Sequence, residues 1–124
     1  MAVGTTLSNY ETVGSPAGIA EGKGSQVQLV STIGMLTVAK DTVINDRYKL
    51  GAGLTAEVKI EDDKYVVVDY WIDEYGIGDS IQEAQQDLFD SFVDYLVSLE
   101  RRENRLGDKE RLNLQVLRTV LARR

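Results

Sequence analysis

Apolar and polar residues alternate between positions 54 and 61, with an apolar residue at every even position. This period of two is typical of a strand that buries one face. The polar run 62–64 then predicts a turn, and the β-branched and aromatic run 65–71 predicts a second strand. The two strands should pair as an antiparallel hairpin. A third short strand is expected around positions 75–77.

From Ser80 onward the apolar residues recur every three or four positions, which predicts an amphipathic helix of about twenty residues. Its apolar face comprises Ile81, Ala84, Leu88, Phe92, Tyr95, Leu96 and Leu99. Ser80 followed three residues later by Glu83 is the pattern of a capping box. The predicted cap residues are Gly78, Asp79, Ser80 and Glu83. After Gly107, a second helix is predicted from position 108 to about 122.

The two glycines before the long helix raise the question of a phosphate-binding loop. A dinucleotide-binding fingerprint requires a third small residue where this chain has Ile81, and a helix start free of acidic side chains. Asp79 and Glu83 place negative charge at that start, and there is no Walker lysine. The glycines are therefore interpreted as features of the fold and not of a nucleotide site.

The chain of 124 residues is long enough for one domain with a modest core. Residues 1–25 are rich in Gly, Ser and Thr and are predicted to form a flexible arm. Residues 26–53 contain extra strand-like runs, with Met35 as an alternative translation start, and residues 54–124 carry the main domain. The expected fold class is α+β: a three- to four-stranded antiparallel sheet with one long helix packed on a face, followed by a shorter C-terminal helix.

The sequence contains no cysteine and no histidine. This composition excludes disulfides, thiolate zinc sites and Ser-His-Asp catalysis, and it removes the usual general base near neutral pH. We expect no enzymatic activity, no cofactor and no bound metal. No apolar run is long enough to span a bilayer, and the N-terminus lacks the pattern of a secretory signal. A cytoplasmic location without membrane contact is therefore expected.

Charge is distributed unevenly along the chain. Residues 55–100 carry thirteen acidic side chains and two lysines, a net charge of −11, whereas residues 101–124 carry a net charge of +5. Two interpretations of the acidic part stay open: an ordinary solvated face, or a surface that attracts a basic protein and repels nucleic acid. The basic end lacks a recognition helix with polar readers, so direct binding of nucleic acid is not expected.

Several residues are candidates for contact with a partner. Three aspartates share one side of the long helix, two aromatic residues end the predicted second strand, and a third lies in the predicted third strand. The candidate partner-binding residues are Asp69, Tyr70, Trp71, Tyr75, Asp87, Asp90 and Asp94. The candidates for an oligomer interface, on the wide apolar surface of the last helix, are Leu112, Val116, Leu117 and Val120. A metal-dependent nuclease site at Asp69 and Asp73 is an alternative of a different class.

The hairpin AEVKIEDDKYVVVD is followed by the segment YGIGDSIQEAQQDLFDSFVDYLVSLE. The helix start GDT-x-EEA of the HicB-like antitoxins is matched, with serine in place of threonine, by Gly78, Asp79, Ser80, Glu83 and Ala84. Over about residues 54–122 the chain thereby resembles this family. The resemblance implies a partial RNase H-like fold without the nuclease residues, in proteins that neutralise a small basic RNA-cleaving toxin and self-associate.

The expected function is therefore that of a HicB-like antitoxin, or an orphan relative, that binds a small basic toxin through an acidic surface. Family members often carry an appended helix-turn-helix or ribbon-helix-helix module, and no segment of this chain reads as one. The alternative is a non-catalytic, self-associating interaction protein of the same fold without a toxin partner.

Overall fold

The computed structural model describes residues 30–124, so the arm predicted for residues 1–25 lies outside the described residues. The elements, in chain order, are β1 (Val30–Val38), β2 (Tyr48–Leu50), β3 (Leu54–Glu61), β4 (Lys64–Asp69), β5 (Glu74–Gly78), α1 (Ile81–Arg101), a 3-10 turn (Glu103–Arg105), α2 (Asp108–Val120) and β6 (Leu121–Arg123). This arrangement confirms the predicted α+β class.

The main sheet has four antiparallel strands in the order β1–β3–β4–β5. The predicted hairpin is formed by β3 and β4, and its turn holds Asp62 at φ 51° and Asp63 at φ 65°. Aspartate tolerates this left-handed conformation, which a two-residue hairpin turn requires because it matches the twist of the strands. The segment predicted as an N-terminal addition supplies β1 at one edge of the sheet and also β2.

Helix α1 lies across one face of the sheet, and it approaches β5 closely. A Cβ atom added to Gly76 would lie 2.1 Å from the carbonyl oxygen of Ala84 and 2.3 Å from the backbone nitrogen of Leu88. At Gly78 it would lie 2.6 Å from the nitrogen of Ala84. The two glycines therefore let a strand backbone rest directly on a helix backbone, where no side chain has room.

The core lies between the sheet, α1 and α2. On the sheet it is formed by alternate residues of β1, β3 and β4, and on α1 by the predicted apolar face together with Phe89, which the prediction omitted. The largest fully buried side chains are Leu36, Val38, Leu50, Val58, Val67, Asp69, Leu88, Phe89, Phe92, Leu99 and Leu117. Burial of about ten such apolar side chains supplies the main driving force for folding.

The end of the chain differs from its prediction. Helix α2 stops at Val120, and the last residues form β6, which pairs with β2 through Leu50 and Leu121. The backbone N–H of Gly51 also donates to the carbonyl of Val120 at 2.7 Å. The expectation of a helix to about position 122 is wrong because this pairing with β2 holds Leu121 extended, at φ −108° and ψ 122°.

Within residues 30–124, no helix combines the length and the apolar character that crossing a bilayer requires.

Candidate binding face of the sheet opposite the long helix

The face of the main sheet opposite α1 is here named the open face. Two cross-strand rows of side chains form its centre. One row runs from Met35 through Glu57 and Val68 to Tyr75, and the other runs from Thr32 through Lys59 and Val66 to Ile77. In both rows the charged residue lies on β3 and apolar residues lie on β4 and β5, while Met35 is a further apolar residue on β1. The open face is therefore apolar towards the β5 edge.

Large apolar side chains are exposed mainly in this region. Of the seven such side chains among residues 30–124, five lie on the open face or in the turn between β4 and β5. They are Met35, Tyr70, Trp71, Tyr75 and Ile77. Tyr70, Trp71 and Tyr75 each have more than half of their surface exposed, at 60%, 61% and 56%. Exposed apolar groups gathered in one place are typical of an interaction site.

A shallow groove of about 440 Å³ crosses this part of the open face. Val66 and Val68 lie on β4, and Tyr75 and Ile77 line the groove from β5. The charged residues that line it are Lys59, Glu61, Asp62, Lys64, Asp73 and Glu74. The groove thus offers an apolar strip beside a mixed but predominantly acidic border.

A hydrogen-bonded network on β3 holds the position of Tyr70. The Tyr70 hydroxyl donates to Oε1 of Glu57 at 2.6 Å, and Thr32 Oγ1 donates to Oε2 of the same carboxylate at 3.1 Å. The Lys59 ammonium lies 3.8 Å from Glu57 Oε1. Partial burial lowers the pKa of Lys59, but its hydrogen bond with Tyr70 and the nearby acidic groups outweigh burial and raise the pKa overall. These contacts restrain the orientation of the Tyr70 ring.

Two carboxylates oppose each other where β4 and β5 meet the turn. Asp69 is buried, with 2% of its surface exposed, and it accepts the backbone N–H of Ile72 at 3.1 Å. Its cross-strand partner is Glu74. Burial, and then the charge of Asp69, raise the pKa of Glu74. Asp69, which was predicted as a partner contact, instead closes the turn that carries Tyr70 and Trp71.

The predicted cap residues lie together at the start of α1. Ser80 Oγ accepts the backbone N–H of Glu83 at 3.1 Å, and Glu83 Oε1 accepts the backbone N–H of Asp79 at 2.9 Å. The Asp79 carboxylate also pairs with Lys64 at the start of β4. These contacts use the acidic side chains for local structure, in keeping with their interpretation as a helix start.

The three aspartates predicted to form a docking strip on α1 have different surroundings. Asp87 Oδ2 accepts the backbone N–H of Ile77 at 2.9 Å, and Asp90 Oδ1 accepts from Gln86 Nε2 at 3.0 Å. Asp94 is exposed. The open face and this strip are separate surfaces, because Tyr75 and Ile77 project from the side of β5 that faces away from α1.

The four residues predicted as an oligomer interface also differ in their burial. Leu117 and Val120 lie in the core of the same chain, and Val116 is partly buried against it. Leu112 is the exposed member, at 59%. Basic residues nearby are partly engaged with acidic ones, since Arg118 contacts both Glu100 and Glu103.

The sequence analysis identified the aromatic residues of the open face but missed its other apolar residues. Val66, Val68, Ile77 and Met35 were not among the candidates. A signal was present in the run 65–68, because consecutive apolar residues in a strand indicate that both faces are apolar. Which of the two faces the helix covers depends on contacts distant in sequence.

Among residues 30–124, no group of three or more acidic side chains is arranged to hold a metal ion. Comparisons with protein-family models, with curated proteins and with solved structures find no match to this chain.

Proposed function

We propose that this chain is a non-catalytic protein-binding domain, a HicB-like antitoxin or an orphan relative, that binds a small basic RNA-cleaving protein through the open face. The observation that carries the proposal is the exposed aromatic group Tyr70, Trp71 and Tyr75 beside an apolar groove on an acidic domain. The resemblance of residues 54–122 to that family supplies the class of partner.

Aromatic residues are favourable contacts in a protein interface. Tyrosine and tryptophan bury a large area with few rotatable bonds, and they dominate the binding energy of many interfaces. Tyr70 is restrained by its hydrogen bond to Glu57 before any partner binds, which lowers the conformational entropy lost at this position on binding. The groove beside it accepts apolar side chains of the partner.

Charge favours a basic partner over nucleic acid. Residues 55–100 carry a net charge of −11, and this segment includes β3, β4, β5 and α1. A field of this sign accelerates the approach of a positively charged protein and repels a phosphate backbone. Binding should therefore weaken as the salt concentration rises.

A self-associating protein without a toxin is the second candidate. The exposed Leu112 on α2 supports it, because this side chain lies outside the core of its own chain. In that case the open face, or the outer side of α2, would meet a second copy.

The two candidates are separated by capture from extracts of the organism that encodes the chain. The tagged chain is used as bait at low and at high salt, and captured proteins are identified by mass. A small basic protein retained at low salt and released at high salt supports the antitoxin proposal. Recovery of the chain alone, together with a dimer in sedimentation, contradicts that proposal and supports self-association.

A further inference from the structure

A second cavity lies away from the open face, between the loop that follows β1 and the first half of α1. Its volume is about 500 Å³. The loop side is formed by residues 39–43, and the helix side by Gln82, Gln85, Gln86 and Phe89. We name this cavity the Gln85 crevice.

The side chain of Gln85 is unusual in this position. Only 9% of its surface is exposed, and it lies on the same side of α1 as Leu88 and Phe89 in the core. No group within residues 30–124 forms a hydrogen bond with its carboxamide. A buried amide without a partner is costly, and buried polar groups in folded proteins are nearly always hydrogen-bonded. A partner for the carboxamide, whether water or a ligand, must therefore enter from the crevice.

Both walls of the crevice are held in place. On the loop side, the backbone N–H of Asp41 donates to the carbonyl of Leu50 at 2.8 Å, and Thr42 Oγ1 donates to the carbonyl of Ala39 at 2.7 Å. Across the crevice, Gln86 Nε2 donates to the carbonyl of Ile44 at 3.2 Å. The cavity is therefore a preformed feature of the fold.

The chemistry of the crevice favours a neutral ligand with one donor and one acceptor. The Gln85 carboxamide offers an N–H donor and a carbonyl acceptor side by side, which pair with the same two groups of another amide. A carboxylate would satisfy the donor but would place its charge against the carbonyl oxygen. Lys40 and Asp41 line the loop side of the crevice with opposite charges, and Asp41 also pairs with Lys49 at 3.0 Å. A single water occupies about 30 Å³ and leaves most of the cavity open.

We infer that the Gln85 crevice is a binding site for an amide group, in which the Gln85 carboxamide makes two hydrogen bonds to the ligand. The amide belongs either to a side-chain carboxamide or to a peptide main chain. This site is independent of the open face, and its occupation does not depend on the proposed function.

The test is titration of the isotope-labelled full chain, observed through the side-chain NH₂ resonances of its glutamines. Acetamide represents a side-chain carboxamide, N-methylacetamide represents a main-chain amide, and acetate is the charged control. We expect a saturable shift of the Gln85 resonances with one of the two amides and a weaker response to acetate. The amide that binds more tightly identifies the source.

Gln85→Met and the matched variant Gln115→Met complete the test, since Gln115 is an exposed residue on α2. Gln85→Met should weaken amide binding, followed through backbone resonances of residues 39–43, by about tenfold or more. It should also raise the Tm, because a buried amide without a partner is removed, whereas Gln115→Met should change neither quantity. If the NH₂ chemical shifts of Gln85 and Gln115 change equally and linearly with amide concentration, the inference is overturned. Absence of a response of the Gln85 resonances to both amides in the natural chain also overturns the inference. That result does not depend on whether the variants fold.

Discussion

The carboxylate of Asp87 accepts the backbone N–H of Ile77 at 2.9 Å, so a side chain of α1 covers an outward-facing amide of the edge strand β5. An uncovered edge of this kind is a template for pairing with another chain. The contact joins α1, which carries the three aspartates, to β5, which carries part of the open face. It covers one backbone amide of the β5 edge, next to the open face.

Replacement of Asp87 should therefore reopen the edge. We expect Asp87→Ala to lower the free energy of unfolding by about 1 kcal/mol and to increase self-association with protein concentration. Urea denaturation and sedimentation velocity measure the two effects. Asp94→Ala, an exposed position on the same helix, is the matched control and should show neither effect. Equal behaviour of the two variants would mean that Asp87 does not protect the edge.

The close contact between β5 and α1 makes a second prediction. An alanine at Gly76 would place its Cβ 2.1 Å from the carbonyl oxygen of Ala84, so strand and helix must separate. Gly76→Ala should destabilise the fold by about 3 kcal/mol or more. At Gly53 the nearest atom to an added Cβ is 3.7 Å away, and Gly53→Ala should be neutral or stabilise by up to about 1 kcal/mol. Thermal unfolding of both variants decides the point, and a neutral Gly76→Ala would refute the packing account.

These contacts show which parts of the fold can be predicted from the sequence. Helix α1 was predictable because Ser80, Glu83 and the apolar repeat are local signals that agree. Strand β6 was not, because Leu121 is extended only through pairing with β2, more than half the chain away. Gln85 was also missed, since a polar residue beside an apolar helix face gives no sign of burial. The need for glycine at position 76 arises from contact with the backbone of α1, which local sequence does not indicate.

Glu74 should make stability depend on pH. Its pKa is raised by burial and then by the charge of Asp69, so the folded state holds the proton more tightly than the unfolded chain. The contribution of Glu74 to stability is then fully present below the ordinary glutamate pKa of about 4.3 and is lost as pH rises through the raised value. Glu74→Gln should therefore gain stability over the natural chain as pH rises from about 4 towards neutral.

Glu103 provides a control of opposite sign. Its pKa is lowered by a hydrogen bond with Arg118, so its contribution is present above the ordinary pKa and is lost as pH falls. Glu103→Gln should lose stability relative to the natural chain as pH rises, by a small amount because the pair is exposed. Urea denaturation at several pH values measures both variants. A Glu74→Gln curve parallel to that of the natural chain would exclude a raised pKa at Glu74.

The contact between α1 and α2 includes a partly buried polar pair. Asn113, 8% exposed, donates through Nδ2 to the Tyr95 hydroxyl at 2.9 Å. Tyr95→Phe leaves the Asn113 amide without this partner and should cost about 1–3 kcal/mol. A double-mutant cycle with Asn113→Ala should give a coupling energy of about 1 kcal/mol. Strict additivity in urea denaturation would show that the pair contributes nothing of its own.

The central claim is that the open face binds a partner, and it is tested most directly by capture with paired surface variants. Tyr75→Ser removes an aromatic side chain from the groove, whereas Leu112→Ser removes an exposed apolar side chain from α2. Both variants should keep the Tm within a few degrees, because both positions are exposed. We predict that Tyr75→Ser loses most of the captured partner at low salt and that Leu112→Ser retains it. Full retention by Tyr75→Ser, with loss by Leu112→Ser, would contradict the account and move the binding surface to α2.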